Sequence, residues 1–331
     1  MTSFIIRRLL YAIPMLVLVS LVSFVIINLP PGDYLTTMRQ QLESQAGLTR
    51  EEAMAIAERM AARYGLDRPF MVQYFEWIKG IVTRGDFGYS FHYNRPVHEV
   101  LWQRLGWTLL IATTCHAVSV GIGVLVGIFS ATHKYSFFDN VFTVLSFLGL
   151  STPNFFLALL IMYYLAFHVK THVGGLFSTE YVMAPWSGAK FVDFLKHFWV
   201  PVFVVGLAGT AQNMRVMRGN LLDVLNSQYV ETARAKGLPE RVVIFKHAVR
   251  NAIQPIIMYL GMSLPFLIQG EVIASIVLNL PTIGPAFHIA LVNQDMYLAG
   301  SFLLMIAVVL IVGNLLADLL LAWMDPRVRY E

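Results

Sequence analysis

The sequence predicts an all-α membrane protein with six transmembrane helices, and three observations support this fold class. Hydrophobic residues make up 57% of the 331-residue chain and charged residues only 13%, whereas soluble domains carry about a quarter charged residues. Six apolar stretches approach or exceed the roughly 20 residues that a helix needs to cross the hydrocarbon core. The basic residues are also distributed unevenly among the segments that connect these stretches.

The six predicted spans cover residues 9–28, 107–131, 141–167, 199–217, 253–279 and 299–323. The first resembles a secretory signal because it follows Arg7 and Arg8, but no small-x-small cleavage site ends it. We therefore expect residues 1–29 to be an uncleaved first transmembrane helix. The fourth span is the shortest, and polar residues around Asn213 interrupt it.

The distribution of basic residues predicts the orientation of the chain. Residues 30–104 hold nine basic and nine acidic side chains, whereas the segment from Arg215 to Arg250 holds seven basic and three acidic ones. Connecting segments rich in Lys and Arg stay in the cytoplasm. We expect this segment and both termini to be cytoplasmic and residues 30–104 to be extracytoplasmic. A net charge of +4 sorted in this way does not indicate nucleic-acid binding.

The extracytoplasmic insert, residues 30–104, is predicted to contain two short helices. Thr49 to Glu52 form a capping box at the start of the first helix, and Gly65 supplies its end. The second helix is expected to begin at Pro69, with Tyr74 and Trp77 on its apolar face. These helices would cap the outer mouth of the membrane bundle, and contact with a substrate is the alternative.

Several classes of site are not expected in this chain. Cys115 is the only cysteine, which excludes an internal disulfide and a cysteine-based metal site. His168 and His172 have a spacing that can bind a metal, but we interpret them as interfacial side chains because no further ligand is near them in sequence. The chain contains no G-x-x-x-x-G-K-[ST] motif. We expect a non-catalytic protein without a cofactor of its own.

The polar segment 219–252 is the most specific feature of the sequence. Asn226 or Ser227 can cap a short helix that Gly237 ends, and Pro239 can open a second helix up to Asn251. We predict a helix-turn-helix that projects from the membrane on the cytoplasmic side. The plain alternative is a loop whose positive charge only sets the topology.

Motifs along nearly the whole chain carry a resemblance to a known family. The spacing Glu231-x-Ala233-x-x-x-Gly237 resembles the EAA signature of permease subunits in ABC importers. The chain as a whole resembles the dipeptide/oligopeptide permease family, in particular the first of its two paired permeases. The further matching motifs are Ile6 to Pro14, Pro31-Gly32-Asp33, Tyr64 to Pro69, Gly85 to Ser90, Thr232 to Leu238, His247 to Ala252, Pro281-x-x-Gly284 and Asp325-Pro326-Arg327.

The resemblance implies a type I ABC importer permease fold in the bacterial inner membrane, with residues 105–331 as the core permease domain. It implies three kinds of partner besides the lipid bilayer: a second homologous permease, two ATP-binding subunits that hold ATP and Mg, and an extracytoplasmic solute-binding protein. It also implies that the first helix of the 219–252 segment couples to the ATPases, through Tyr229, Glu231, Ala233, Arg234, Ala235, Lys236, Gly237 and Leu238.

The expected cargo is peptides, and the same machinery could import oligosaccharides, opines or nickel chelates. A secondary transporter is the alternative of a different class, but such proteins show internal repeats, and none is evident here. Ionisable groups inside apolar spans usually face the bundle interior. We expect Gln269, Glu271 and Ser275 to line the translocation path. Many members of the family carry a glutamate at the position of Ser275, which leaves the cargo open.

Overall fold

The computed structural model describes residues 2–28, 39, 43, 49–65, 67–170 and 174–324. The side chains of residues 2–5, 9, 60, 63, 64, 260–271, 317 and 320–324 also lie outside the described part of the chain. Several features of the sequence analysis therefore fall outside it: Pro31-Gly32-Asp33, the Leu66 position of the motif from Tyr64 to Pro69, His172, Asp325-Pro326-Arg327 and the side chains of Gln269 and Glu271.

Helices account for most of the described residues. In chain order they are α1 (Thr2–Asn28), α2 (Arg50–Tyr64), α3 (Phe70–Arg84), α4 (Val97–Thr132), α5 (Phe137–Ser151), α6 (Asn154–Tyr164), α7 (Thr179–Val182), α8 (Gly188–Leu225), α9 (Gln228–Ala235), α10 (Glu240–Val242), α11 (Val249–Ala252), α12 (Gln254–Val277), α13 (Ile283–Val292) and α14 (Met296–Met324). Two π-helical segments, Leu165–Val169 and Val243–Ala248, follow α6 and α10. Strands β1 (Tyr89–Ser90) and β2 (Arg95–Pro96) pair as an antiparallel hairpin.

The described residues contain four helices that are long and apolar enough to cross a membrane, in α1, α4, α8 and α14. The segments Phe137–Ser151 and Asn154–Val169 make a fifth span if they are taken together. The remaining predicted span, 253–279, coincides with α12, which is 24 residues long. An all-α membrane protein is therefore confirmed, and six spans remain a prediction.

Three of the predicted spans differ from the helices that the structure shows. The predicted span 141–167 is bent by 104° because α5 ends before Pro153, and a residue that precedes proline is disfavoured in the α conformation. Helix α4 begins ten residues before the predicted residue 107. Helix α8 extends the predicted span 199–217 at both ends to 38 residues, and it continues through Asn213, which is buried rather than a break.

The chain divides into two units, which consist of residues 1–107 with 282–312 and residues 108–281 with 313–331. In the first unit, Thr49 and Glu52 form the predicted capping box of α2, and Gly65 ends that helix in the left-handed conformation. Helix α3 packs on α1: the hydroxyl oxygens of Ser20 and Tyr74 lie 2.8 Å apart, and the Phe24 ring stacks on the Trp77 ring.

A buried carboxylate in the first unit attaches the β1–β2 hairpin to the start of α14. Asp295 is fully buried and accepts hydrogen bonds from the Ser90 hydroxyl at 2.6 Å and from the His92 amide at 3.1 Å. The Leu298 amide donates to its other oxygen at 3.3 Å. Burial raises the pKa of Asp295 above its usual range, and these hydrogen bonds oppose that shift. The sequence analysis did not identify this carboxylate.

Close backbone packing at a glycine pair in α4 holds the second unit together. A Cβ atom on Gly123 would lie 2.6 Å from the Asn213 Cβ, and one on Gly127 would lie 2.6 Å from the Met217 Cβ. Only glycine allows α4 and α8 to approach this closely, which is the packing that small residues provide in membrane helices. The C-terminal half of α8, at Asn213 and Met217, is thereby held against α4.

Candidate functional site

The segment after α8 folds as the predicted helix-turn-helix. Helix α8 ends at Leu225, α9 follows after two residues, and Pro239 precedes α10. Gly237 has φ +74°, a left-handed conformation that L side chains rarely adopt, and its amide donates to the Arg234 carbonyl at 2.9 Å. A Cβ atom added to Gly237 would meet no other atom within 4 Å. The glycine is therefore required by the backbone conformation rather than by lack of space.

One face of α9 packs against the apolar interior of the second unit. Val230 is fully buried and Ala233 is 6% exposed. They share one cluster with residues from α4, α8 and the segment after α10, namely Ile128, Ala131, Met217, Leu221, Val243, Ala248, Ala252 and Ile256. Ala233 is therefore the one predicted coupling residue that is buried within the chain.

The opposite face of α9 and the turn after it are exposed. Of the predicted coupling residues, this exposed surface includes Tyr229, Glu231, Arg234, Ala235, Lys236, Gly237 and Leu238. We call these seven residues the α9 surface. Its outward side chains combine two positive charges, one negative charge and two large apolar groups.

Two contacts within the segment fix the shape of the α9 surface. The Arg234 guanidinium forms an ion pair with Glu240 across the turn, at 2.7 Å between Nη2 and Oε1. This hydrogen bond lowers the pKa of Glu240. The Asn251 side-chain amide donates to the Tyr229 hydroxyl at 2.8 Å and joins the second arm to the first. The predicted single helix from Glu240 to Asn251 is instead interrupted by the π-helical segment Val243–Ala248.

The predicted translocation-path residues are only partly described. The side chains of Gln269 and Glu271 lie outside the described part of the chain. Ser275 is fully buried, and its hydroxyl donates to the Val272 carbonyl at 2.8 Å. The hydroxyl is thus satisfied within its own helix, and a role in lining the path remains a prediction.

A cavity of about 360 Å³ lies at the other end of α8, in the second unit. Its polar lining residues are Ser178, Asp193, Lys196 and His197. The Asp193 carboxylate accepts hydrogen bonds from the Ser178 amide at 2.8 Å and from the Ser178 hydroxyl at 2.6 Å, so its oxygens already have donors. Among the residues that the structure describes, no group of three His, Cys, Asp or Glu side chains is arranged to hold a metal ion.

An ion pair between the buried Asp139 carboxylate and the partly exposed Arg218 guanidinium joins α5 to α8, and it was not predicted from the sequence. Asp139 is 1% exposed, and the Arg218 guanidinium donates to both of its carboxylate oxygens at 2.8 Å. The pair lies 79 positions apart in sequence, so no local pattern indicates it. The one available signal was Ser136, whose hydroxyl accepts from the Asp139 amide and caps α5.

Family models match almost the entire chain. Residues 123–330 match the binding-protein-dependent transport system inner membrane component, and residues 1–112 match the N-terminal part of the binding-protein-dependent transport system membrane component. The two matches together contain the whole 219–252 segment and the predicted insert.

Curated relatives align with this chain from end to end. The oligopeptide transport system permease protein AppB of Bacillus subtilis is 36% identical and covers 100% of both chains. Dipeptide transport system permease proteins DppB of Alkalihalophilus pseudofirmus and of Escherichia coli K12 are 32% and 30% identical, again over 100% of both chains.

Proposed function

This chain belongs to the family of binding-protein-dependent transport system inner membrane components, and on that premise we propose that it forms one half of a translocation pore for peptides. It is a permease component of such a transport system. The names of its relatives, which are oligopeptide and dipeptide permeases, support a peptide cargo over oligosaccharides, opines or nickel chelates. Family membership also disfavours the secondary transporter that the sequence analysis kept as an alternative.

The proposed assembly contains three kinds of partner. A second homologous permease completes the pore, two ATP-binding subunits hold ATP and Mg, and an extracytoplasmic solute-binding protein delivers the peptide. In this assembly the present chain contributes no catalytic residue and no cofactor. The absence of a G-x-x-x-x-G-K-[ST] motif from the whole sequence supports a supply of energy by the partners.

The proposed topology has six spans, cytoplasmic termini and an extracytoplasmic insert. The excess of Lys and Arg between Arg215 and Arg250 supports a cytoplasmic position for α9. The packing of α3 on α1 supports a structured insert rather than a slack loop.

The α9 surface is the proposed docking site for an ATPase subunit. The observation that carries this proposal is that α9 is held by its own chain on one face and exposed on the other. A partner that moves α9 therefore also moves the α4 and α8 side chains that pack beneath it. Closure of the ATPases on ATP would reach the membrane helices by this route.

Substitution of Gly237 tests the proposal. In Gly237→Val the left-handed conformation becomes unfavourable by roughly 1–2 kcal/mol, which displaces the turn that presents Leu238. We expect peptide uptake per ATP hydrolysed to fall in proteoliposomes that contain all subunits. Gly237→Asn is the matched control, because asparagine tolerates this conformation, and we expect its uptake to stay near the wild-type value.

The amount of inserted protein is measured in parallel. We expect it to stay normal, because a Cβ atom at position 237 meets no atom of this chain within 4 Å. Normal insertion and normal coupled uptake by Gly237→Val would contradict the proposed docking site.

A further inference from the structure

We propose that the Asp139–Arg218 ion pair is the rigid link that makes α5 move together with α8 when the partner ATPases displace α9. The inference rests on the proposed function, because it assigns a path for the motion that enters at α9. Both residues are positioning residues, since neither lies on the α9 surface.

The pair is placed at the end of α8 that leads into α9. Arg218 precedes the last residue of α8, Leu225, by seven positions, or about 10 Å at the rise of an α-helix. Its neighbours Met217 and Leu221 are fully buried in the same cluster as Val230 of α9. Displacement of α9 therefore reaches the backbone that carries Arg218 through packed side chains.

Besides the ion pair, the α5–α8 interface contains one cation–π contact, in which the Arg215 guanidinium lies 4.9 Å from the centre of the Phe147 ring, and otherwise small or apolar side chains. A Cβ atom on Gly149 of α5 would lie 3.2 Å from Leu207 and 3.5 Å from Ala211, and the Ser146 hydroxyl contacts the Met214 sulfur at 3.0 Å. Small and apolar side chains of this kind pack closely but tolerate a shift of one helix along the other. A bidentate pair does not tolerate it, because the planar guanidinium fits a carboxylate in one geometry.

Energetics also favour a role in helix registration over one in stability. The Asp139 side chain is 1% exposed and that of Arg218 is 24% exposed, so the loss of hydration falls mainly on the carboxylate and offsets much of its attraction to the guanidinium. A pair at this position is therefore poorly explained by stability alone. Its geometric demand fixes the register of α5 against α8.

Asp139 also fixes the turn before α5. Its Oδ2 atom accepts the Tyr135 amide at 2.8 Å, and Tyr135 has φ +64°, which is uncommon for a non-glycine residue. The Asp139 carboxylate thus connects the turn at Tyr135 and the start of α5 to Arg218 of α8. Helix α5 leads at Ser151 into the 104° bend before α6. A rigid link at Asp139 would therefore carry the motion of α8 to this bend.

Two variants test the link while preserving the fold. Arg218→Lys keeps the positive charge but cannot make the bidentate contact. The double variant Asp139→Asn with Arg218→Gln removes both charges and keeps an acceptor for the Tyr135 amide. The matched control is Arg68→Lys, which changes an exposed ion pair with Glu76 in the first unit.

We expect both variants to keep the wild-type melting temperature within a few degrees. Peptide uptake per ATP hydrolysed should fall at least about fivefold, the lower end of the range for coupling between two sites. The control should keep the wild-type ratio. If the pair served only stability, both variants would have a lower melting temperature, and the complex that remains folded would keep the wild-type peptide uptake per ATP hydrolysed. That result would overturn the proposal.

A distance measurement gives a second readout. Spin labels on α5 at Val144 and on α8 at Asp223, both exposed, are introduced into a Cys115→Ala background. The distance between the labels should be the same without nucleotide and in the ATP-trapped complex when the pair is intact, and should change in Arg218→Lys. A change of equal size with the pair intact would refute the link. Uncoupling by Gly237→Val without an effect of Arg218→Lys would refute the link alone and leave the proposed function standing.

Discussion

Single residues decide the shape of the proposed docking site. Gly237 provides a left-handed turn, and Arg234 spans that turn to reach Glu240. The sequence analysis grouped Arg234 with the residues that contact a partner, whereas the structure gives it a partner within the chain. Exposed ion pairs contribute little to stability, typically about 0–1 kcal/mol. The main effect of the Arg234–Glu240 pair would therefore be to fix the orientation of the turn.

The Asp295 carboxylate should make the stability of the first unit depend on pH. Its pKa is raised in the folded state, so the folded protein binds more protons than the unfolded chain just above the ordinary pKa of about 3.9. The contribution of Asp295 to the free energy of unfolding is fully present below that pH. It is lost as the pH rises through the pKa of the folded state.

Thermal unfolding in detergent measures this effect against Asp295→Asn, which has no charge to bury. As the pH rises from about 4 to about 7, the melting temperature of the wild type should fall relative to that of the variant. A wild type that gains stability relative to Asp295→Asn over the same range would contradict this assignment.

At the scale of elements, the contact between α4 and α8 organises the second unit. Gly123 and Gly127 lie one helical turn apart, and each faces the backbone of α8 at close distance. Leu221 and Met217 of α8 then complete the cluster beneath α9. The helix that carries the proposed docking segment is thus positioned by glycine packing together with this apolar cluster.

Alanine substitutions in α4 separate packing from helix propensity. In Gly127→Ala the new methyl would lie 2.6 Å from the Met217 Cβ, so we expect overpacking to cost about 1–3 kcal/mol. In Gly121→Ala the methyl would meet no atom within 4 Å, and alanine favours a helix by up to about 1 kcal/mol over glycine.

Thermal unfolding in detergent should show a lower melting temperature for Gly127→Ala and an equal or higher one for Gly121→Ala. Equal loss in both variants would contradict the packing argument.

Capping and turn residues in the sequence predicted the helix ends that depend on nearby residues only. The capping box at Thr49 and Glu52 and the stop at Gly65 define α2 in the structure as they do in the sequence. The turn at Gly237 and Pro239 follows the same logic. Apolar runs located the spans but not their ends, because α8 continues past the bilayer-length stretch and buries Asn213 by packing.

Contacts between distant residues were not predictable from one sequence. Ser90 and Asp295 are 205 positions apart, and Asp139 and Arg218 are 79 apart. No periodic or capping pattern in the sequence joins the two members of either pair. The bend between α5 and α6 is a different case, because Pro153 is visible in the sequence and was outweighed by the continuous apolar run around it.

At the scale of the whole molecule, the membrane helices form the proposed half of the pore, and the small α9 surface is the proposed contact with the ATPases. The family comparisons cover the chain from end to end, and the structure shows that α9 is both exposed and packed on the second unit. The proposed transport cycle requires that this surface lie in the cytoplasm and be covered by an ATPase subunit.

Labelling of a single cysteine at position 235 tests that requirement most directly. Cys115 is the only native cysteine, so Ala235→Cys with Cys115→Ala carries one exposed thiol. A membrane-impermeant maleimide should label it in inside-out vesicles that lack the ATPase subunits, and adding those subunits should protect it. Labelling from the outside of intact cells, or no protection by the ATPases, would contradict the account.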